Sequence, residues 1–187
     1  MEHLTEKDYG HKPVLLPACM DALAIRPDGV YVDGTLGRAG HSLEIARRLT
    51  AGGRLIGIDR DQTAIDAARE RLAPYLDRVT LVHSNFDRIG DILADLHIPG
   101  ADGMLFDLGV SSPQLDDARR GFSYMHDAPL DMRMDASAPL TAREVVNGWS
   151  YEELRRILFD FGEERYAPAI AKAICRRREE KPIETTV

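Results

Sequence analysis

Three glycines and two aspartates in the first third of the chain have the spacing of a site for a nucleoside-containing ligand. Gly34, Gly37 and Gly40 lie within one short segment. Asp33 precedes them, and Asp59 follows roughly 20 residues later, where an acidic side chain typically binds ribose hydroxyls. Alone, such glycines only permit a tight turn, and each aspartate is more often a turn former than a ligand. Together they predict a ligand site at this turn.

The position of Asp33 indicates which ligand that is. A carboxylate beside the glycines repels the pyrophosphate of a dinucleotide, whereas it attracts the ammonium and sulfonium groups of S-adenosylmethionine. The spacing Gly-x-x-Gly-x-x-Gly also differs from the dinucleotide pattern Gly-x-Gly-x-x-Gly. We therefore expect S-adenosylmethionine, with Asp33, Gly34, Gly37 and Asp59 among the residues that bind it. The alternative is an NAD-dependent oxidoreductase, which the carboxylate disfavours.

Further polar and aromatic side chains follow the next two apolar runs. Phe86 comes after the third run, where its ring can cover an adenine, although plain core packing explains it equally well. Asp107 ends the fourth run. Ser111, Ser112 and Gln114 come next, so a carboxylate, two hydroxyls and an amide are expected at one edge. We expect the substrate to meet the methyl donor there.

The elements that must position these residues alternate between strand and helix. Short apolar runs predict four strands, and the segments between them have the apolar spacing of amphipathic helices. This alternation predicts a parallel sheet with right-handed crossovers, in which ligands bind beyond the carboxyl ends of the strands. The predicted strands are 30–33, 54–59, 79–83 and 103–108, and the predicted helices are 40–49, 62–72 and 87–96.

The chain changes character after the fourth strand. Residues 109–139 are rich in Ser, Pro, Asp, Gly and Met without a clear period, which indicates a functional loop. Thr141 and Ser150 are each followed three residues later by a glutamate, a pattern typical of helix starts. A third helix is expected over 168–178. The last part of the chain is therefore predicted to be helical.

Length and composition bound the class of protein. The 187 residues suffice for one domain and an appendage, and we predict a cofactor-binding core over 1–137 and a helical domain over 138–187. The hydrophobic fraction of 44% and the charged fraction of 29% are typical of globular proteins. Cys19 and Cys175 lie far apart, so neither a disulfide framework nor a metal site is expected.

Charge and hydropathy argue against two further classes. The net charge of -7 disfavours nucleic-acid binding by bulk electrostatics, although local basic groups exist at 119–120 and 172–181. We interpret the second group as a solvated helix face. No apolar run approaches the roughly 20 residues that cross a bilayer, and residues 1–8 do not have the pattern of a signal peptide. We expect a cytoplasmic protein without membrane contact.

The longest motif in the chain begins at Asp107. It has the sequence DLGVSSPQLDDARRGFSY and continues to PLDMRM at 129–134. This segment closely resembles the bacterial 16S rRNA cytosine-N4 methyltransferases, the family called RsmH or MraW. Three further stretches are similar to the same family, so the resemblance extends from about Tyr9 onward. They are HKPVLL at 11–16, DGTLG at 33–37 with HS at 41–42, and GEERYA at 162–167.

The resemblance implies a fold, a cofactor and a substrate. The fold is that of a class I methyltransferase, a Rossmann-like α/β sheet with a small helical domain inserted in it. S-adenosylmethionine is the donor. The acceptor is the exocyclic amine of a cytosine in the 16S rRNA of the small ribosomal subunit, near the decoding centre. The cofactor-binding positions of the family fall here on Ala39, Gly40, His41, Asp59, Phe86, Asp107 and Gln114.

The chemistry of that amine assigns roles to the substrate-side residues. The cytosine amine is a poor nucleophile because its lone pair is delocalised into the ring, so acceptors must hold its hydrogens and aim its nitrogen. We expect Asp107 to do this, with Ser111, Ser112 or Asp131 as helpers. The base must also leave its stack. The side chains that would line a pocket for this base are those of Phe122, Tyr124 and Met125. The alternative is that they form a small core beneath the loop.

One departure from the family concerns length. Family members continue well past the position of 182–187, completing the helical domain and adding the last strands of the sheet. The sheet is therefore expected to end at the strand that bears Asp107, and its exposed edge favours self-association. Two functions stay open: an active methyltransferase, and a truncated, non-catalytic module that binds S-adenosylmethionine or RNA.

Overall fold

Residues 13–50 and 52–187 are described by the computed structural model. They divide into two units, of which the first ends at Gly109 and the second runs from Val110 to Val187. The boundary predicted between residues 137 and 138 falls inside the second unit. It stays a prediction about where the helical domain of the family begins.

A four-stranded sheet forms the centre of the described part of the first unit. Its strands are β1 (Val30–Asp33), β2 (Arg54–Asp59), β3 (Val79–His83) and β4 (Gly103–Leu105). All of them pair in parallel, in the order β3-β2-β1-β4. Their carboxyl ends consequently share one edge, the place where such sheets bind ligands. The predicted α/β class, with a Rossmann-like parallel sheet, is confirmed.

Four helices flank these strands within residues 13–50 and 52–109. They are α1 (Leu16–Leu23), α2 (Gly40–Arg48), α3 (Gln62–Arg71) and α4 (Ile89–Asp95). Pro17 lies in the first turn of α1, where no amide hydrogen is needed. The Asp61 side chain accepts a hydrogen bond from the Thr63 amide at 3.0 Å and caps α3. The helix predicted over 87–96 begins as a 3₁₀ turn at Phe86–Arg88 and continues as α4.

The sheet is covered on both faces, which explains the continuous apolar runs in its strands. Neighbouring residues of β1 point to opposite faces, so Tyr31 packs in one core cluster and Val32 in the other. The same alternation separates Leu55 from Ile56 in β2. Residues of α1, α2 and α3 pack on the first face, and residues of α4 pack on the second. This packing fixes the carboxyl ends of the central strands.

The fourth strand is shorter than the sequence predicted. β4 ends at Leu105 rather than Leu108, so the prediction that Asp107 ends this strand is wrong. The reason lies in its partner, because β1 ends at Asp33, which pairs with Leu105. Beyond this point the loop continues the hydrogen bonding, since the Gly34 amide donates to the Leu105 carbonyl at 2.9 Å. Asp107 therefore stands on a loop, past the edge of the sheet.

The second unit, Val110–Val187, contains four helices. These are α5 (Ser112–Asp116), α6 (Ala142–Gly148), α7 (Tyr151–Asp160) and α8 (Ala167–Glu180). Both predicted capping boxes are confirmed: Thr141 pairs with Glu144 before α6, and Ser150 pairs with Glu153 before α7. The short α5, by contrast, lies in the segment without a clear apolar period. The prediction of helices at the end of the chain is confirmed.

Residues 117–140 connect α5 to α6, and arginine side chains hold them in place. We call this segment the arginine-braced loop. Arg133 donates to both carboxylate oxygens of Asp131 and to the carbonyl of Ala138 at 2.8 Å. Arg120 donates to two further carbonyls of the loop, at 2.9 and 3.0 Å. The loop thus has a defined conformation although most of it contains no regular secondary structure.

Candidate functional site

The turn between β1 and α2 lies at the carboxyl edge of the sheet, as the sequence predicted. We call residues 34–39 the glycine loop. Backbone hydrogen bonds tie it to the strands on both sides. Gly34 donates to Leu105 of β4 at 2.9 Å, and Leu36 donates to Ile58 of β2 at 3.0 Å. The glycine loop is therefore fixed between the two strands that neighbour β1.

Asp33, the last residue of β1, is buried beneath the glycine loop. It is 1% exposed, and its carboxylate accepts hydrogen bonds from the Ser42 hydroxyl at 2.7 Å and the Thr35 amide at 3.2 Å. Burial raises the pKa of this carboxyl above its ordinary value, although both hydrogen bonds act in the opposite direction. Asp33 thus braces the loop, a role that the sequence did not predict. Its direct contact with a cofactor stays a prediction.

Asp59, the last residue of β2, supports the glycine loop from the other side. One carboxylate oxygen accepts from the Gly37 amide at 2.8 Å, and the other accepts from the Asp61 amide at 2.9 Å. Gly37 has a φ of +49°, a conformation that glycine adopts without strain. Burial raises the pKa of Asp59, while the amide hydrogen bonds lower it. Since each carboxylate oxygen has a second lone pair, Asp59 retains capacity for a ligand hydroxyl.

A pair of phenylalanine rings stands at the same edge of the sheet. The ring centroids of Phe86 and Phe106 are 5.5 Å apart with an angle of 71° between the planes, an edge-to-face contact. The Phe106 ring also lies against Gly34, where a Cβ atom would overlap it. The two residues are 38% and 44% exposed. Sequence reasoning missed Phe106 because it treated the whole run 103–108 as a strand.

Asn85, directly before Phe86, has a buried side-chain oxygen. Its Oδ1 atom has no hydrogen-bond partner among the residues that the structure describes. Buried polar atoms are nearly always hydrogen bonded, so an oxygen of this kind marks a place where a further donor belongs. The segment that follows β3 therefore combines an aromatic ring with an amide at the carboxyl edge.

The start of α2 carries Ala39, Gly40 and His41. Ala39 has a φ of +58°, and helix geometry leaves the first amides of α2 without intrahelical acceptors. Such amides, at the positive end of the helix dipole, favour an anionic group. The His41 ring is nearly buried, at 7% exposure for the residue, and its Nε2 lies 2.9 Å from the Val14 carbonyl oxygen. The backbone of this helix start is therefore better suited to a ligand than the imidazole.

Asp107 is exposed on the loop that follows β4. Its backbone amide donates to the Thr35 hydroxyl at 2.6 Å. This hydrogen bond ties Asp107 to the glycine loop even though the strand ends before it. The structure therefore places Asp107 next to the predicted cofactor-binding turn, while its catalytic role stays a prediction.

Ser111, Ser112 and Gln114 belong to the second unit and lie at the start of α5. Gln114 is 7% exposed, and its side-chain oxygen accepts a hydrogen bond from the Ser111 amide at 3.0 Å. Ser112 is the first residue of the helix. The structure brings these three residues together and gives Gln114 a capping role. Cofactor contact by Gln114 and catalysis by the two serines stay predictions.

The described ranges contain neither a metal-binding cluster nor a membrane-spanning helix. Within residues 13–50 and 52–187, no group of three or more His, Cys, Asp or Glu side chains could hold a metal ion. No helix in the same ranges has the length and apolar character that a membrane span requires. The candidate site thus consists of carboxylates, glycines, aromatic rings and the amides of a helix start.

Comparison with known proteins gives a family and close relatives. The model of the MraW methylase family matches residues 8–187. Ribosomal RNA small subunit methyltransferase H of Brevibacillus brevis is 56% identical over 183 residues, which are 98% of this chain and 58% of that protein. The protein of the same name from Symbiobacterium thermophilum is 54% identical over 178 residues, 95% of this chain and 56% of that protein. The chain therefore spans less than two thirds of the length of these curated relatives.

Two solved structures match parts of the chain. TrmN from Thermus thermophilus is 23% identical with a TM-score of 0.43, covering 55% of this chain and 30% of that chain. An rRNA methylase from Streptococcus thermophilus is 18% identical with a TM-score of 0.36, covering 40% and 45%. The parallel sheet described above has the strand order of a Rossmann-like sheet. Because the family match extends over nearly the whole chain and both curated relatives share more than half of the aligned residues, the chain belongs to the MraW methylase family.

Proposed function

We propose that this chain binds S-adenosylmethionine and methylates N4 of a cytosine in the 16S rRNA of the small ribosomal subunit. The observation that carries the proposal is the glycine loop, which two acidic strand ends brace, in a member of a methylase family. The names of the curated relatives support small-subunit rRNA as the substrate. Such a substrate would place the protein at work in the cytoplasm.

The residues at the carboxyl edge fit the parts of S-adenosylmethionine. Asp59 suits the ribose hydroxyls, and the amides at the start of α2 suit the carboxylate. The exposed face of Phe86 suits the adenine ring. The negative charges of Asp33 and Asp107 favour the ammonium and sulfonium groups. The cofactor supplies an electrophilic methyl group, so the residues of the chain have to orient the acceptor.

Asp107 and the two serines near it in sequence are proposed to handle the acceptor amine. The Asp107 carboxylate would accept a hydrogen bond from the cytosine amine and hold the nitrogen toward the methyl group. Ser111 and Ser112 would accept or relay the second hydrogen. Because the Thr35 hydroxyl accepts from the Asp107 amide, the backbone that carries this carboxylate is tied to the glycine loop. The proton is then released to Asp107 or to water after transfer.

The arginine-braced loop is proposed to receive the target base. Tyr124 and Met125 are 79% and 73% exposed, which makes them available for stacking on an unstacked base. Phe122 differs, because the Arg120 guanidinium lies 5.8 Å from its ring centroid and holds it to the loop. Tyr124 is therefore the better candidate for base contact, and Phe122 the better candidate for loop packing.

A second candidate function is a binding module without catalysis. The observation that favours it is the edge of β4. Among the described strands β4 pairs only with β1, and such an edge can pair with a second copy of the chain. Self-association through β4 is therefore part of the proposal for either function.

Calorimetry tests the cofactor, and radiolabel transfer tests the reaction. We expect saturable binding of S-adenosylmethionine and S-adenosylhomocysteine and none of NAD. Asp59→Asn should weaken S-adenosylhomocysteine about tenfold, whereas Asp95→Asn, an exposed carboxylate on α4, should leave it unchanged. Tritium transfer to unmodified small subunits separates the enzyme from the module. Binding of NAD without either methionine derivative would refute the proposed function.

A further inference from the structure

The segment Pro13–Leu15 lies across the start of α2, and we call it the strap. The Pro13 ring packs against Gly40 so closely that a Cβ atom at Gly40 would overlap it. The Val14 carbonyl lies 2.9 Å from His41 Nε2. Two successive residues at the start of α2 therefore contact the strap. Gly40 allows the close approach of Pro13 because it has no side chain, and His41 makes its contact through the ring.

The backbone on each side of this contact is in an unfavourable conformation. Leu15 has a φ of +50° and Ala39 a φ of +58°, both in the left-handed region that residues with a Cβ atom rarely adopt. Such conformations persist where the surroundings hold them, and they cluster at functional sites. A strained residue thus adjoins the contact in sequence on each side, Leu15 after the strap residue Val14 and Ala39 before Gly40.

The Nε2 atom of the His41 ring is used by this contact. A carbonyl oxygen only accepts, so Nε2 must carry the hydrogen and donate it to Val14. Val14 and Leu15 themselves are 56% and 71% exposed, so little apolar burial anchors the strap at these positions. The hydrogen bond and the Pro13 contact are therefore the main attachments of the strap at the start of α2.

We infer that His41 is a positioning residue, whose imidazole holds the strap against the helix start and thereby fixes the amides of α2 for the cofactor. This inference rests on the proposed function for the identity of the ligand. It differs from direct contact between the imidazole and S-adenosylmethionine, the simpler role for a histidine in a cofactor-binding segment. The two roles predict different results when the strap itself is altered.

The first experiment substitutes His41 by side chains of graded reach. The amide nitrogen of glutamine falls near the position of Nε2, whereas that of asparagine is too short. By calorimetry with S-adenosylhomocysteine we expect His41→Ala and His41→Asn to weaken binding about tenfold and His41→Gln to stay within about twofold. Equal binding by His41→Ala and the parent chain would overturn the inference.

The second experiment is a double-mutant cycle between the strap and the histidine. Pro13→Gly loosens the strap without touching His41, and it should weaken S-adenosylhomocysteine binding as His41→Ala does. If both act through the strap, the double variant is no weaker than either single variant. Additive losses would mean that the imidazole contacts the ligand directly, which would overturn the inference. This cycle also decides the case if the glutamine variant fails to rescue.

Hydrogen exchange without ligand separates this inference from the proposed function. The amides of α1 that follow the strap should exchange faster in His41→Ala and His41→Asn than in the parent chain, and His41→Gln should restore the parent rates. Circular dichroism must show that the variants are folded. If the parent chain binds no methionine derivative but exchange follows this pattern, the proposed function fails while the link between His41 and the strap stands. Unchanged exchange in His41→Ala would refute that link.

Discussion

The two units hold their main loops with opposite chemistry. In the first unit the glycine loop donates two of its amide hydrogens, those of Thr35 and Gly37, to the carboxylates of Asp33 and Asp59. In the second unit the arginine-braced loop presents its carbonyls to the guanidinium groups of Arg120 and Arg133. Both arrangements satisfy the backbone of a segment without regular structure, which is necessary wherever such a segment is removed from water.

The two arrangements differ in burial. Asp33 is 1% exposed, whereas the side chains of the ion pair between Arg133 and Asp131 are 26% and 25% exposed. A buried carboxylate is costly to remove because its donors are left without an acceptor, while partly exposed partners can turn to water. A carboxylate beneath a loop also gives the site negative charge. This comparison predicts that the effects of substitutions in the two loops will differ in size, in location and in pH dependence.

Removal of the Asp33 side chain should have the largest effect. Asp33→Ala leaves the Ser42 hydroxyl and the Thr35 amide without their acceptor inside the first unit, and we expect the free energy of unfolding to fall by about 3 kcal/mol. Asp33→Asn keeps the shape and one acceptor oxygen and should lose much less. Chemical denaturation followed by circular dichroism measures both. Equal losses would show that the charge matters more than the hydrogen bonds.

Removal of the Arg133 side chain should have a smaller and local effect. Arg133→Ala leaves the loop carbonyls without their donor. Arg133→Lys should also fail to hold the loop, because one ammonium group cannot replace the planar guanidinium. We expect proteolytic cleavage within 131–140 to become about tenfold faster in both variants. Arg119→Ala is the control, since Arg119 is exposed and its side chain bonds Asp117 alone among the described residues. A cleavage rate in Arg133→Lys equal to that of the parent chain would contradict the role proposed for the Arg133 guanidinium in holding this loop.

Loss of a helix cap in the second unit should have a modest effect. Ser150→Ala removes the acceptor for the Glu153 amide at the start of α7, which corresponds to about 1 kcal/mol of unfolding free energy. Trp149, the single tryptophan of the chain, is adjacent and reports this unit by fluorescence. Ser137→Ala serves as the control because no helix begins there. A fluorescence transition that also moves in Asp33→Ala would show that the two units unfold together.

Much of the fold could be predicted because its signals are local. The bounds of β1, β2 and β3 follow from short apolar runs, and the capping boxes at Thr141 and Ser150 follow from residues three positions apart. Each of these depends on neighbours in sequence. The glycine loop was predicted for the same reason, since strand, turn and helix follow one another directly.

What could not be predicted depends on partners distant in sequence. β4 stops at Leu105 because β1, some 70 residues earlier, has no further residue to pair with it. The Phe106 ring contacts Gly34 and Phe86 for the same topological reason. Asp33 was expected to face a ligand, and only the position of Ser42 on α2 shows that its carboxylate is turned inward. Side chains at a strand end need the neighbouring elements before their direction is known.

The pH dependence of stability should distinguish the two kinds of carboxylate, although the effect is the smallest expected here. Burial raises the pKa of Asp33. The contribution of this group to the free energy of unfolding is therefore fully present below the ordinary carboxyl pKa of about 4, and it is lost as the pH rises through the raised value. Hydrogen bonds from Thr141 lower the pKa of Glu144, so its contribution is present above the ordinary value and is lost as the pH falls through the lowered one.

Two variants turn this contrast into a measurement. Between about pH 3 and pH 7, the Tm of Asp33→Asn should rise relative to the parent chain, because the variant has no buried carboxyl to ionise. Over the acidic end of the same range, the Tm of Glu144→Gln should approach that of the parent as the pH falls, because protonation removes the hydrogen-bonded carboxylate from the parent and the variant has none to lose. Difference curves of the same sign and slope would mean that the carboxylate beneath the glycine loop is no more buried than the cap of α6, and the contrast between the two loops would fail.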